Sequence, residues 1–427
     1  MTTIELGPFR SAPGFEEAVE LDRADPLAGF RERYVFTDPD LIYLDGNSLG
    51  RLPKRGREII DRVVGHEWGD RLIRSWNEGW WELQLALGDR LAPLLGAAPG
   101  EVILSDSTSV NLYKLAIAAL RARGERVKIV TDDLNFPTDV YVLRGLAEAN
   151  GAQLEVVASE GSSGPIAGLE AAIDEHTALV SLSHTTFKSG YTYDLDAVTA
   201  MAHRAGALVL WDLSHSAGIV SIDLGGTGVD LAVGCTYKYL NGGPGSPAFL
   251  YVRSDLQESL DNPITAWWGH ADPFAFDLEF RPVTGIRKFH TGTMPVISLA
   301  AIEAGIDDVE EAGVTRLRTK SVSLTEFLIS RWEEHLASLG FALASPRDPA
   351  VRGSHVALSH PEAWPIARAL VEVGKVITDF RAPDSLRLGM APMYTSFLDV
   401  HTTVHRIRAV VESGVYRDYT GIDVTVT

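Results

Sequence analysis

Lys238 lies in the run Cys235-Thr236-Tyr237-Lys238-Tyr239-Leu240-Asn241-Gly242-Gly243-Pro244-Gly245, an amine between two tyrosines ahead of a glycine-rich turn. Such a turn lets backbone pack closely around the amine and hold it in one place, as a lysine that condenses with a carbonyl requires. Upstream, Asp212 closes the short apolar run 207–212. That run reads as a strand buried on both faces, and its carboxylate falls at the carboxyl end, where open α/β sheets place ligands.

Further candidates sit where strands give way to helices. Residues 101–104 read as a short strand, and Ser107-Thr108-Ser109 opens an amphipathic stretch over 110–120. The hydroxyls of Thr108 and Ser109 would join unpaired N–H groups at one helix N-terminus, a setting suited to a dianionic phosphate. After the strand-like run 127–130 comes Asn135-Phe136-Pro137-Thr138-Asp139. There Phe136 could stack on a ring, and Thr138 and Asp139 could cap a helix or touch a ligand. An amine for an aldehyde, a carboxylate for a ring nitrogen, an aromatic face and donors for a phosphate are together what pyridoxal 5'-phosphate (PLP) asks of a protein. Each residue alone also has a structural reading: Lys238 as a solvated side chain, Asp212, Thr108 and Ser109 as helix caps, Phe136 as a core residue. Their joint appearance, in an order that one sheet edge can collect, favours the cofactor.

With Tyr237 to Gly245, Asp212-Leu213-Ser214-His215-Ser216, Asn135 to Asp139 and Asp106-Ser107-Thr108-Ser109-Val110-Asn111-Leu112, the chain resembles the kynureninases, PLP enzymes of fold type I in the class V aminotransferase group. The resemblance runs from Tyr43-Leu44-Asp45-Gly46-Asn47-Ser48-Leu49-Gly50 to Ser385-Leu386-Arg387-Leu388-Gly389-Met390 and on to Phe397. It implies that Lys238 binds the cofactor and moves protons, that Asp212 pairs with the pyridine nitrogen with His215 nearby, and that Tyr237 donates or relays a proton. It further implies that Phe136 faces the ring beside Pro137, Thr138 and Asp139. Ser183 would lie at the cofactor's edge, and Thr108, Ser109, Tyr237, Trp267 and Thr293 would surround the phosphate or line the site, Thr293 from across a homodimer interface. Arg387 would clamp the substrate α-carboxylate, a task for a planar bidentate donor. Without the resemblance, Trp267 reads as a core or interface aromatic, His215 as a structural histidine and Arg387 as a surface ion-pair partner.

The activity implied is hydrolysis of the Cβ–Cγ bond of L-kynurenine to anthranilate and L-alanine, as in tryptophan breakdown. Thr293 stands where animal enzymes that prefer 3-hydroxykynurenine carry asparagine, so the unhydroxylated substrate is expected to be favoured. Another class V reaction (transamination, epimerisation or elimination) and a non-catalytic PLP-binding homologue are the alternatives; the presence of both Lys238 and Asp212 weighs against the latter.

The elements that must carry these residues follow from the pattern. The alternation of strand-like and helical stretches over 427 residues predicts an α/β fold with a mostly parallel central sheet. An N-terminal arm over 1–44 is expected to pack on the small domain, a large cofactor-binding domain to span 45–300, and a smaller α+β domain 301–427, leaving the site in the cleft between the last two. Helices are expected over 300–311, 315–336 and 361–373. A formal charge of −19 argues against nucleic acid or an anionic membrane as partner. No apolar run reaches the ~20 residues that span a bilayer, and no basic, apolar leader opens the sequence, so a cytoplasmic enzyme is expected. Cys235 is the one cysteine, which excludes an intrachain disulfide and a multi-cysteine metal site; no metal is expected. It also precedes Lys238, whereas cysteine desulfurases of the same fold need a nucleophilic cysteine downstream.

Overall fold

The computed structural model describes residues 7, 9–421 and 423. Residues 1–6 and 8 of the expected arm, and 422 and 424–427 of the expected small domain, lie outside the described residues. In chain order the strands are β1 (Ile42–Tyr43), β2 (Val102–Leu104), β3 (Lys128–Asp132), β4 (Gln153–Val157), β5 (Thr177–Ser183), β6 (Leu208–Asp212), β7 (Leu231–Gly234), β8 (Phe249–Val252), β9 (Ala342–Leu343), β10 (His355–Ser359), β11 (Val376–Ile377), β12 (Asp379–Arg381) and β13 (Ser385–Gly389).

The large sheet has the order β2-β8-β7-β6-β5-β3-β4. All of its strands except the edge strand β4 are buried at every residue, because both faces are covered. Val180, Val209, Trp211 and Ala232 enter one core, while Leu179, Leu208, Leu210 and Leu231 enter the core on the opposite face. This is the period of two expected of a strand, hidden in the sequence because neither face meets water. The sheet is mostly parallel, as expected; β8 alone is reversed, pairing antiparallel with both β7 and β2.

Helices Val296–Ala312 and Val314–His335 link this layer to a second. Leu299, Ile302, Ile306 and Val309 of the first pack into the large-sheet core. Leu324, Phe327 and Leu328 of the second join a separate core with Val356, Leu386 and Leu388 of the antiparallel sheet β12-β13-β10-β9. Helix Phe15–Ala24 adds Ala18 to that second core. Its Asp22 carboxylate accepts from the N–H groups of Phe397 and Leu398 at 2.7 and 3.0 Å, satisfying free donors at the start of helix Phe397–Ser413. β1 runs parallel to β11, which brings the segment after it, Asp45 to Gly50, across to the lysine loop: Gly50 N–H donates to Tyr237 O at 2.7 Å. Gly50 has no alternative here, since a Cβ on it would stand 2.4 Å from Lys238 O.

Candidate active site

A cleft of about 220 Å³ is lined by Thr108, Ser109, Phe136, Thr138, Asp139, Asp212, His215, Tyr237, Lys238 and Arg387, together with Asn47, Ser48, Ser214 and Arg381. The carboxyl ends of the parallel strands bring the first group together except for Arg387, which β13 of the antiparallel sheet supplies. Asp212 is the last residue of β6, and Lys238 follows β7. Helix Thr108–Ala122 follows β2 and helix Pro137–Ala149 follows β3. Ser107 accepts from Val110 N–H as the N-cap of the first helix, so Thr108 and Ser109 are free of that task and reach the cleft. No side chain caps the second helix, and Asp139, which the sequence also allowed as a cap, is buried in the site instead.

The lysine amine is held by a histidine. Lys238 Nζ lies 2.8 Å from His215 Nε2. Burial first, and then the charge of Lys238, hold His215 well below its ordinary value, so the neutral ring accepts from the ammonium. Its Nδ1 is buried without a hydrogen-bond partner. On the other side Asp212 is oriented by Ser214, whose N–H and Oγ donate to Asp212 Oδ1 at 2.8 and 2.6 Å. Asp139 is pushed well above the carboxylate range by burial first and by the charge of Asp212 second. Asp139 is thereby disposed to keep a proton and to offer it to its neighbour Asp212. Tyr237 is also raised, by the adjacent Cys235 thiol first and burial second, which keeps its phenol a donor at neutral pH. Cys235 itself is buried, its thiol pushed up by burial.

Arg387 is 1 % exposed and is pinned rather than free. It pairs with Asp379 and donates to Phe187 O, and its Nη2 reaches Ser48 Oγ at 2.9 Å. With its amide turned so that oxygen faces the guanidinium, Asn47 accepts from Nη2 at 3.2 Å and Nε at 2.9 Å. Arg381 pairs with the other oxygen of the same Asp379 at 2.9 Å. The register explains this: Asp379 is the direct antiparallel partner of Arg387 across β12 and β13.

Pro137, Ser183, Trp267 and Thr293 are not among the residues that line the cleft of the single chain. Pro137 opens its helix, and Ser183 is buried with its N–H donating to Asn135 Oδ1. Trp267 is 39 % exposed in an aromatic cluster with Trp81, Trp268 and Phe274, and Thr293 is exposed. Conversely, Asn47, Ser48, Ser214 and Arg381 were given no role by sequence reasoning. Ser214, two residues beyond Asp212, was the one with a local signal.

These residues fit PLP. An orphaned imidazole nitrogen, a helix N-terminus with two hydroxyls, an amine, and a pair of carboxyl side chains able to face a ring nitrogen converge on one cleft. The architecture is that of fold type I. The structure superposes on a cysteine desulfurase from Thermococcus onnurineus NA1 with TM-score 0.75 at 19% identity, covering 92% of this chain and 98% of that one. It also matches a C-DES variant with glycine covalently linked to its PLP cofactor, with TM-score 0.76 at 17% identity over 87% and 97% of the two chains. Residues 88–361 match the class-V aminotransferase family and 317–407 the kynureninase C-terminal domain. Fold and site together define a PLP protein of the class V aminotransferase group. Kynureninases of Burkholderia pseudomallei (strain 1106a) and Pseudomonas fluorescens are 44% and 43% identical, over 94% and 93% of this chain and 96% and 95% of their own lengths. The chain belongs to the kynureninase family.

Proposed function

We propose that this chain is a PLP-dependent hydrolase of carbon–carbon bonds in ketonic substances, which converts L-kynurenine and water into anthranilate and L-alanine. The observation that carries the reading is a match to kynureninases over 94% of the chain at 44% identity, in a chain whose cleft holds an amine, two carboxyl side chains and a buried arginine. When bound, PLP supplies an electron sink conjugated to the substrate α-carbon. The protein does the rest. Thr108 and Ser109 hold the phosphate, and the Asp139–Asp212 pair holds a protonated ring nitrogen. Arg387 and Arg381 orient the α-carboxylate, while Lys238 Nζ, steadied by His215, takes and returns the proton at the α-carbon. Tyr237, kept protonated, gives a proton as the Cβ–Cγ bond breaks.

A second copy of the chain completes the site in this reading. Phe274, Phe276 and Leu278 are 64%, 78% and 103% exposed beside Trp267, and Trp68, Leu72 and Ile73 add 56%, 56% and 76%. A surface this apolar supports burial against another protomer, which would carry Trp267 and Thr293 toward the partner's cleft. Among the described residues no helix is long and apolar enough to cross a membrane. A cytoplasmic location is part of the same proposal. Product analysis tests the activity. Anthranilate and L-alanine in equal amounts support it; a keto acid, a racemised substrate or no product refutes it in favour of another class V reaction or of silent binding.

A further inference from the structure

Behind the phosphate-side helix lies an ion pair with no part in the site as described, its lysine buried and its aspartate partly exposed. Lys114, two turns into helix Thr108–Ala122, is fully buried. Its Nζ donates to Asp106 Oδ2 at 2.8 Å, to Phe289 O at 2.8 Å and to Ser105 Oγ at 3.4 Å, which gives each N–H of the ammonium an acceptor. Asp106 is as fully engaged. Its Oδ2 also accepts from Ser105 Oγ at 2.8 Å, and its Oδ1 accepts from Thr291 Oγ1 at 2.8 Å. Its backbone has φ 49°, a left-handed conformation uncommon outside glycine and adopted by aspartate more than by most residues.

One knot of polar atoms thus fixes two stretches far apart in sequence. On one side is the loop that leads into Thr108 and Ser109; on the other are Phe289 and Thr291, just ahead of Thr293. Charge points the same way. A lone Asp106 carboxylate beside the helix start would repel a dianionic phosphate, and Lys114 neutralises it from behind, leaving the helix N–H groups to the anion. An ion pair with its cation buried in this way adds little net stability over an apolar replacement, which leaves positioning as the use the geometry supports.

We propose that Lys114, Asp106 and Thr291 are positioning residues for both sides of the cofactor phosphate: the chain's own Thr108 and Ser109, and the Thr293 segment it presents to a second copy. The inference rests on the PLP reading above. It is tested by titrating the PLP-free full chain with PLP, and separately with pyridoxal, which lacks the phosphate, for the wild type, Thr291→Val and Thr291→Ser. Loss of one hydrogen bond to a charged group should weaken PLP binding about tenfold in Thr291→Val, with recovery in Thr291→Ser and no change for pyridoxal. Equal PLP affinity in the wild type and Thr291→Val, or an equal loss for PLP and pyridoxal, overturns the proposal, because a merely structural residue would not single out the phosphate. A wild type that binds no PLP overturns the cofactor reading, and this inference with it. Lys114→Met, if it folds, should show the same phosphate-specific loss, and an unaltered PLP affinity there counts against the proposal.

Discussion

The amine of Lys238 and the imidazole of His215 meet at 2.8 Å, and the imidazole, neutral because burial and the lysine's own charge disfavour a second cation, is the acceptor. The lysine is thereby aimed by a side chain that cannot compete for its charge. Replacing His215 by phenylalanine keeps the ring's bulk and removes the acceptor. A hydrogen bond to a charged group is worth ~1.5–3 kcal/mol, so kcat is expected to fall roughly ten- to a hundredfold while PLP still binds. Steady-state kinetics with a PLP absorbance spectrum check this; an unchanged kcat contradicts the role.

Asp139 and Asp212 are unequal partners. Asp139 is the member held protonated, by burial first and by Asp212 second, and an amide is close in shape and donor capacity to a protonated carboxyl. Asp139→Asn should therefore cost less than about tenfold in kcat/KM. Asp212→Asn removes the charge itself, and breaking a buried charge pair costs ~3–5 kcal/mol, so a loss of at least about a hundredfold is expected. The reverse order of severity contradicts the assignment.

Arg387 is preset by Asp379, Ser48, Asn47 and Phe187 O. A lysine offers a point charge and cannot satisfy that planar set. Arg387→Lys should raise KM for kynurenine by about tenfold or more and lower the melting temperature, because Asp379 loses its buried partner. A KM within about twofold of wild type would remove Arg387 from substrate binding.

Much of this was legible in the sequence, and the remainder was not, for identifiable reasons. The strand ending at Asp212 and the junctions at Thr108 and Phe136 show as apolar runs followed by polar turns, so the residues they carry into the cleft could be named in advance. The reversal of β8 could not be read: Phe249–Val252 is buried on every residue, and a uniformly apolar run carries no sign of direction. Asn47 and Ser48 stayed hidden because their partner Arg387 lies 339 residues from Ser48. That contact depends on β1 pairing with β11, two strands of two residues each. Trp267 and Thr293 sit outside the single-chain cleft.

Acid should unfold the protein partly through two buried histidines. Burial first of all pulls His184 down to about 4 and His290 to about 3, whereas an unfolded histidine titrates near ~6.5. Below that value the unfolded chain binds protons that the folded chain refuses. Their contribution is thus complete above pH ~6.5 and is lost as pH falls toward about 4 and about 3, each adding ~1.4 kcal/mol per pH unit to the slope inside its window. Asp132, raised to about 6 by burial, works in the opposite sense, its contribution present at low pH and lost as pH rises through about 6. Urea unfolding at pH 5 and pH 6 should show a shallower pH slope in His184→Gln by ~1.4 kcal/mol per unit. An identical slope in the variant contradicts a neutral, buried His184.

The most direct test of the account is the fluorescence of anthranilate after L-kynurenine is added to the PLP-loaded chain, with Lys238→Ala beside it. A rise that Lys238→Ala abolishes, while the variant remains folded, is the expected result. No rise in the wild type despite bound PLP, or an equal rise in both proteins, would contradict a kynurenine-cleaving site built on Lys238.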